Sequence, residues 1–186
     1  IQLRNEFGKI PKKLKLFNCV GGGSSSFGFW NEFMHYDKKQ VEFIGVEAGG
    51  PQNSKKHAAP LTENSKIGVL HGAMQYVVQD KEGQIEETES ISAGLDYSGV
   101  SPLHCFLKDS KRARYTSATD EEALRAYELV SSLESISPSL EPSHAFAEAI
   151  KIAPNFNENT IFCVNSCGDS YKYKDIIKNI LVKYIR

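Results

Sequence analysis

The sequence predicts an α/β fold, a parallel sheet flanked by helices, and three observations carry that expectation. Leu14 to Val20 and Val41 to Val46 are short apolar runs with β-branched or aromatic residues, bounded by turn residues, as expected of strands buried on both faces. A helical stretch, Phe27 to Tyr36, lies between them. Strand–helix–strand alternation gives parallel pairing through a helical crossover. A third buried-looking run, Thr160 to Val164, follows two further helical segments.

Taken in order, residues 1–9 read as the tail of a helix, with Ile1, Leu3 and Phe7 as its apolar side and Gly8 as its end. Gly49-Gly50-Pro51 to Pro60 reads as loop. Residues 61–110 contain many glycines and few long periods, so no element is assigned there. Long irregular segments of compact domains tend to be functional. Arg114 to Ser117 is a short strand. Thr119 or Asp120 caps the following helix, with Glu121 and Glu122 at its positive end. Ala123, Ala126, Tyr127, Val130 and Leu133 recur at helical spacing and define its buried face. The next helix starts near Glu141-Pro142-Ser143-His144, and Ala145, Ala149 and Ile152 continue its face to Ala153-Pro154. Tyr173 to Ile185 reads as a final helix with Ile176, Ile180 and Tyr184 aligned.

With 186 residues, the chain has the size of one domain, and 40% hydrophobic residues are enough for a sizeable core. Basic and acidic residues number 22 and 23, so no charge footprint points to nucleic acid or to an anionic membrane. No apolar run approaches the roughly 18 residues of a membrane span. Cys19, Cys105, Cys163 and Cys167 sit mostly in apolar runs, as reduced core thiols do. A cytoplasmic enzyme or binding protein is expected.

The most specific local feature is Gly21-Gly22-Gly23-Ser24-Ser25-Ser26, between the first apolar run and the first helix. Consecutive glycines let main-chain amides converge, hydroxyls add donors, and a helix start favours negative charge. The stretch therefore reads as an anion cradle with phosphate as its natural guest, against the plainer reading of a glycine linker. Ligands of open parallel sheets bind beyond the carboxyl ends of the strands. Glu141 at a helix start and Asn165-Ser166-Cys167-Gly168 after the last strand occupy such places. Together the three clusters suggest a phosphorylated cofactor with a polar ring.

These residues also carry a family resemblance. Beyond the glycine loop it rests on Gly45-Val46-Glu47, Ala59-Pro60-Leu61, Gly68-Val69-Leu70-His71-Gly72 and Ser90-Ile91-Ser92-Ala93-Gly94-Leu95-Asp96-Tyr97. It continues through Thr119-Asp120-Glu121-Glu122-Ala123-Leu124, Leu140-Glu141-Pro142-Ser143-His144-Ala145 and Val164-Asn165. The chain resembles the C-terminal portion of the tryptophan synthase β chain family, pyridoxal-phosphate enzymes of fold type II. The resemblance implies a β-replacement in which L-serine loses water and indole adds, giving L-tryptophan. It implies that Gly21, Gly22, Gly23, Ser24 and Ser25 hold the pyridoxal 5'-phosphate ester, with Glu141 beside the cofactor ring. Asp96 would close over substrate near the indole site, and Asp96 and Glu141 are the catalytic candidates. Main-chain carbonyls of Val20, Gly21, Leu95 and Tyr97 resemble the family's monovalent-cation site, for Na⁺ or K⁺. An α chain in an α2β2 assembly and a β-chain homodimer are the implied partners.

The chain departs from the family at Ser25, where asparagine is usual, and at Cys167, where serine faces the pyridine nitrogen. A thiol is a weaker donor than a hydroxyl, yet remains neutral, and Cys167 reads as tolerated. Gly168 to Asp175 departs from the family's run and is longer, and Ala58 replaces a usual glycine. No His-Lys pair occurs in the chain, so the lysine that carries the cofactor is expected upstream, in an N-terminal domain absent from this chain. The chain alone is then expected not to turn over.

Plainer roles compete at several positions. His71 and His144 read as structural hydrogen-bonding residues, because no partner stands at metal-ligand spacing. Cys163 and Cys167 are four apart without a second pair, and Glu86, Glu87 and Glu89 read as a solvated loop face. Glu47 is either a loop anchor or a site contact. Two alternative functions stay open: another fold type II β-replacement or elimination enzyme, and a catalytically silent scaffold that keeps the fold.

Overall fold

A computed structural model describes residues 2–63 and 65–184. Its centre is a four-stranded, wholly parallel sheet of β1 (Leu14–Cys19), β2 (Val41–Ala48), β5 (Ala113–Ala118) and β6 (Ile161–Val164), in the order β5-β2-β1-β6. Leu14 pairs with Val41 on one side and Ile161 on the other, and Phe43 pairs with Ala113. Side-chain alternation along β1 and β2 sorts the core into two layers. Leu14, Leu16, Val41 and Phe43 meet Trp30 and Leu107 on one face. Phe17, Ile44 and Val46 meet Ala145 and Ala149 on the other.

Helices α2 (Ser24–Trp30) and α3 (Pro102–Asp109) cover the first face. Trp30 stacks on Phe43 with ring centroids 5.1 Å apart. Across the second face lies α5 (Leu140–Ile152), with α4 (Asp120–Glu134) packed outside it. Thr119 and Glu122 close a reciprocal capping box at the start of α4, with Thr119 as the N-cap. Helices α1 (Gln2–Phe7) and α6 (Lys174–Tyr184) lie at the two ends. No helix among the described residues is long and apolar enough to cross a membrane.

Strand order places the site. The chain leaves β1 toward β2 and β5, then returns through α4 and α5 to add β6 on the opposite side of β1. The loops after β1 and β6 therefore flank the crevice where connections diverge, the ligand-binding position of open α/β sheets.

The structure corrects several sequence expectations. The unassigned 61–110 region contains a hairpin, β3 (Lys66–Leu70) and β4 (Ala73–Val77), as well as α3. His71 and Gly72 both have positive φ, 52° and 75°, as a tight two-residue hairpin turn requires. Ile67, Val69 and Met74 are exposed, so no buried apolar face marked the hairpin in the sequence. Helix α2 begins at Ser24 and gives way at Asn31 to a 3-10 turn, Asn31–Phe33. On α4, Leu133 is 70% exposed because it lies beyond the stripe of Ala123, Ala126 and Val130 that faces α5. Strand β6 is half-buried throughout because it is a sheet edge. On α6, Ile176 is exposed, and Ile177 with Tyr173 packs on Leu140 instead. The side chains of Ile180 and Tyr184, and residues Ile1 and Ile185, lie outside the described residues.

Candidate functional site

At the carboxyl end of the sheet, the glycine loop turns sharply from β1 into α2. Gly23 is the N-cap of α2 at φ 97°, a conformation that a side chain strains. A Cβ there would also stand 2.2 Å from the His104 ring. His104 Nε2 bonds the Gly23 carbonyl at 2.8 Å, and the Tyr115 hydroxyl bonds Nδ1 at 2.7 Å. The Ser26 hydroxyl donates to the same Gly23 carbonyl at 3.0 Å. This arrangement requires the Nε2–H tautomer, with Tyr115 donating. Burial lowers the His104 pKa, against the bond to Gly23, so the ring stays a neutral strut under the loop. The Gly22 carbonyl accepts from Ser101, the N-cap of α3. Amides of the first helical turn have no intrahelical acceptor, and Ser24 and Ser25 present theirs at the loop.

Three segments meet this loop in a cleft of about 190 Å³ lined by Cys19, Gly21–Ser25, Gly94, Leu95, Ser139, Glu141, Cys167 and Lys172. Gly21 lies so close to the 94–95 segment that a Cβ would stand 2.7 Å from the Gly94 carbonyl oxygen. Gly22 is open, with nothing within 4 Å of the same added atom. The Ser25 hydroxyl accepts from the Asn18 and Asn165 amides at 3.3 and 3.5 Å, joining the loop to β1 and to the segment after β6.

Glu141, in the first turn of α5, is buried and heavily bonded. One carboxylate oxygen accepts from Lys172 Nζ at 2.8 Å, the Tyr173 hydroxyl at 2.5 Å and the Gly94 amide at 3.1 Å. The other accepts from the Ser139 hydroxyl at 2.7 Å. Burial works to raise its pKa, but the bonds from Lys172, Tyr173 and Ser139 prevail and hold it at about 2. Glu141 is thus ionised at neutral pH.

Cys167 lies at the cleft on the loop after β6 and is exposed, as its place near the proposed ring site requires. The bond from Cys19 lowers its pKa to about 6 against burial, which corrects its reading as a neutral thiol. Its Sγ is 3.7 Å from Sγ of buried Cys19. Cys105 and Cys163 are half-buried.

The structure therefore brings together Gly21, Gly22, Gly23, Ser24, Ser25, Glu141, Cys167 and Leu95. Asp96 stays outside: its side chain is exposed and is not part of the cleft lining. Of the proposed carbonyl ligands, Gly21 and Leu95 are adjacent, Val20 is buried with its amide bonded to Val46, and Tyr97 stacks against His71. Among the described residues no group of three or more His, Cys, Asp or Glu side chains could hold a metal ion. Glu47 proves to be a loop anchor, accepting from the Leu61 amide at 3.0 Å and the Thr62 hydroxyl at 2.8 Å. His144 is structural, bonded to the Leu140 carbonyl and the Ser92 hydroxyl.

Sequence reasoning missed Ser139, Lys172, Tyr173 and the partnership of Cys19 with Cys167. Proximity to the ends of β1 and β6 was the available signal for the cysteines. Lys172 and Tyr173 had none, because they lie in a 3-10 turn, Ser170–Tyr173, that only the fold brings to Glu141.

The chain is 47% identical over 169 residues to the tryptophan synthase beta chain of Chromobacterium violaceum. The chain is homologous to part of a tryptophan synthase beta chain. The match covers 90% of this chain but only 41% of that relative, in keeping with the expected C-terminal portion of a tryptophan synthase beta chain. No protein-family model matches the chain.

Proposed function

We propose that this chain forms the phosphate- and ring-binding part of a tryptophan synthase beta chain, joining L-serine and indole to give L-tryptophan and water with pyridoxal 5'-phosphate. The observation that carries this reading is the convergence of the glycine loop, Glu141 and Cys167 on one cleft, in a chain 47% identical to a tryptophan synthase beta chain. The residues suit the cofactor: Gly22 leaves open space beside first-turn amides, and polar groups from two other segments face the same cleft. When bound, pyridoxal phosphate supplies an electron sink, and the protein supplies orientation and electrostatics.

Main-chain amides and hydroxyls of Gly21, Gly22, Gly23, Ser24 and Ser25 would hold the ester oxygens, with His104 fixing the loop from behind. Cys167 would face the ring nitrogen. Glu141, ionised at any physiological pH, would act as a fixed negative charge and orienting acceptor, since a carboxylate of such low pKa is a poor proton acceptor. Asp96 would act from its exposed position one residue beyond Leu95, over substrate near the indole site. Carbonyls of Val20, Gly21, Leu95 and Tyr97 would hold a monovalent cation such as Na⁺ or K⁺. The adjacency of Gly21 to Gly94 and Leu95 supports that assignment.

An α chain in an α2β2 assembly, a β-chain homodimer and a cytoplasmic setting go with this reading, and the free cysteines support the last. The test is an assay of the intact protein carrying this chain with pyridoxal phosphate, L-serine and indole. Cofactor-dependent tryptophan formation is expected. Release of pyruvate from serine with no response to indole would favour a different lyase, and failure to bind the cofactor would leave only a silent scaffold.

A further inference from the structure

We propose that Cys19 and Cys167 form an oxidisable dithiol, a covalent modification site whose disulfide closes the cleft wall between the ends of β1 and β6. The two sulfurs are 3.7 Å apart and both residues line the cleft. Bond formation brings the sulfurs to about 2.05 Å, a movement of less than two ångströms for the exposed loop residue. Adjacent parallel strands bring the pair together: Phe17 pairs with Val164, and each cysteine lies a few residues further on. Cys105 and Cys163 have no comparable partner among the described residues, since the only sulfur pair in contact is Cys19 with Cys167.

Their environments divide the labour. Cys167 is exposed, and the Cys19 thiol donates toward it, which with Ser25 lowers its pKa to about 6 against burial. Cys19 is buried, and its pKa is raised by the bond to Cys167 and by burial. The Cys167 thiolate is thus the accessible nucleophile and Cys19 the resolving thiol. The oxidant is a small-molecule disulfide such as oxidised glutathione. Cys167 Sγ attacks one of its sulfurs, breaking that S–S bond and releasing one thiolate, which takes up a proton. Cys19 then loses its proton and attacks Cys167 Sγ, forming the protein disulfide and releasing the second thiol. The protein dithiol loses two electrons and two protons, and the small disulfide gains them.

The consequence rests on the proposed cofactor site: oxidation removes the thiol that would face the ring nitrogen and ties its loop to β1. The intact protein is treated with oxidised glutathione, digested without reduction and analysed by mass spectrometry. Thiol titration before and after is expected to fall by two, with a Cys19–Cys167 cross-linked peptide that dithiothreitol abolishes. Cys19→Ser should instead accumulate glutathione on Cys167, and Cys167→Ser should give neither product. Circular dichroism is expected to match wild type for the exposed Cys167→Ser change. Stable glutathione on Cys167 in the wild type, or cross-links through Cys105 or Cys163, would overturn the proposal. Pyridoxal phosphate binding is read separately, and is expected to be lost on oxidation and restored on reduction. A cross-linked protein that binds the cofactor unchanged refutes the blocking role. Binding in neither redox state, with the cross-link formed, refutes the cofactor reading alone.

Discussion

Lys172 Nζ lies 2.8 Å from Glu141 Oε1, and the neighbouring Tyr173 hydroxyl reaches the same oxygen at 2.5 Å. Both donors come from the segment after β6, a part of the sequence that departs from the resembled family, and both converge on a residue the resemblance singles out. The departure thus builds a cage around Glu141.

Loosening that cage should raise the Glu141 pKa. Tyr173→Phe removes a buried donor and also leaves the Ala93 amide without its acceptor, so a cost of about 1–2 kcal/mol is expected. Lys172 is largely exposed, and Lys172→Met should change stability by less than about 1 kcal/mol. Urea denaturation of both variants checks the order of the two effects.

The pH dependence has a definite sign. The Glu141 pKa is held at about 2, below its ordinary 4.5, so its contribution is complete above about pH 4.5 and fades as pH falls toward 2. Acid unfolding midpoints should therefore move upward in Tyr173→Phe.

Glu47 behaves in the opposite sense. Burial raises its pKa to about 8 against the bonds from Thr62 and Leu61. The folded state then holds a proton that the unfolded chain releases, so stability falls as pH rises from about 4.5 to about 8. Glu47→Gln is expected to flatten that slope. Glu47→Ala, which strands the Leu61 amide and Thr62 hydroxyl, should cost about 1–3 kcal/mol. Thermal melts across this pH range distinguish the two.

His104→Leu should disturb both stability and site. It leaves the Tyr115 hydroxyl without its acceptor and the Gly23 carbonyl with one donor fewer, for a loss of about 1–3 kcal/mol. Because the same contact fixes Gly23, cofactor affinity should fall in parallel, as measured by titration below the melting transition.

The sheet was legible in the sequence because β1 and β2 are buried on both faces and their apolar runs are continuous. Helices α4 and α5 were legible through Thr119, the acidic first turn and the alanine spacing. The β3–β4 hairpin was not, since Ile67, Val69 and Met74 face outward and mimic no amphipathic pattern. At the site, Gly21–Ser25 and Glu141 could be read because local chain chemistry or family resemblance marks them. The Cys19–Cys167 contact and the Lys172–Glu141 pair join residues 148 and 31 positions apart. Tertiary placement creates such pairs, and no local periodicity announces them. Asp96 shows the converse: a motif identified the residue, but its exposed side chain does not join the cleft lining.

The cofactor reading of the site depends on an ester phosphate seated at Gly22. Equilibrium titration of pyridoxal phosphate into the intact protein carrying this chain, wild type against Gly22→Asp, addresses this directly. Open space around Gly22 lets the new carboxylate fit without disturbing the fold, yet puts negative charge at the phosphate. An unchanged melting temperature with affinity weakened by at least about tenfold, or about 1.4 kcal/mol, is the expected outcome. Equal affinity in the two proteins would show that the phosphate binds elsewhere.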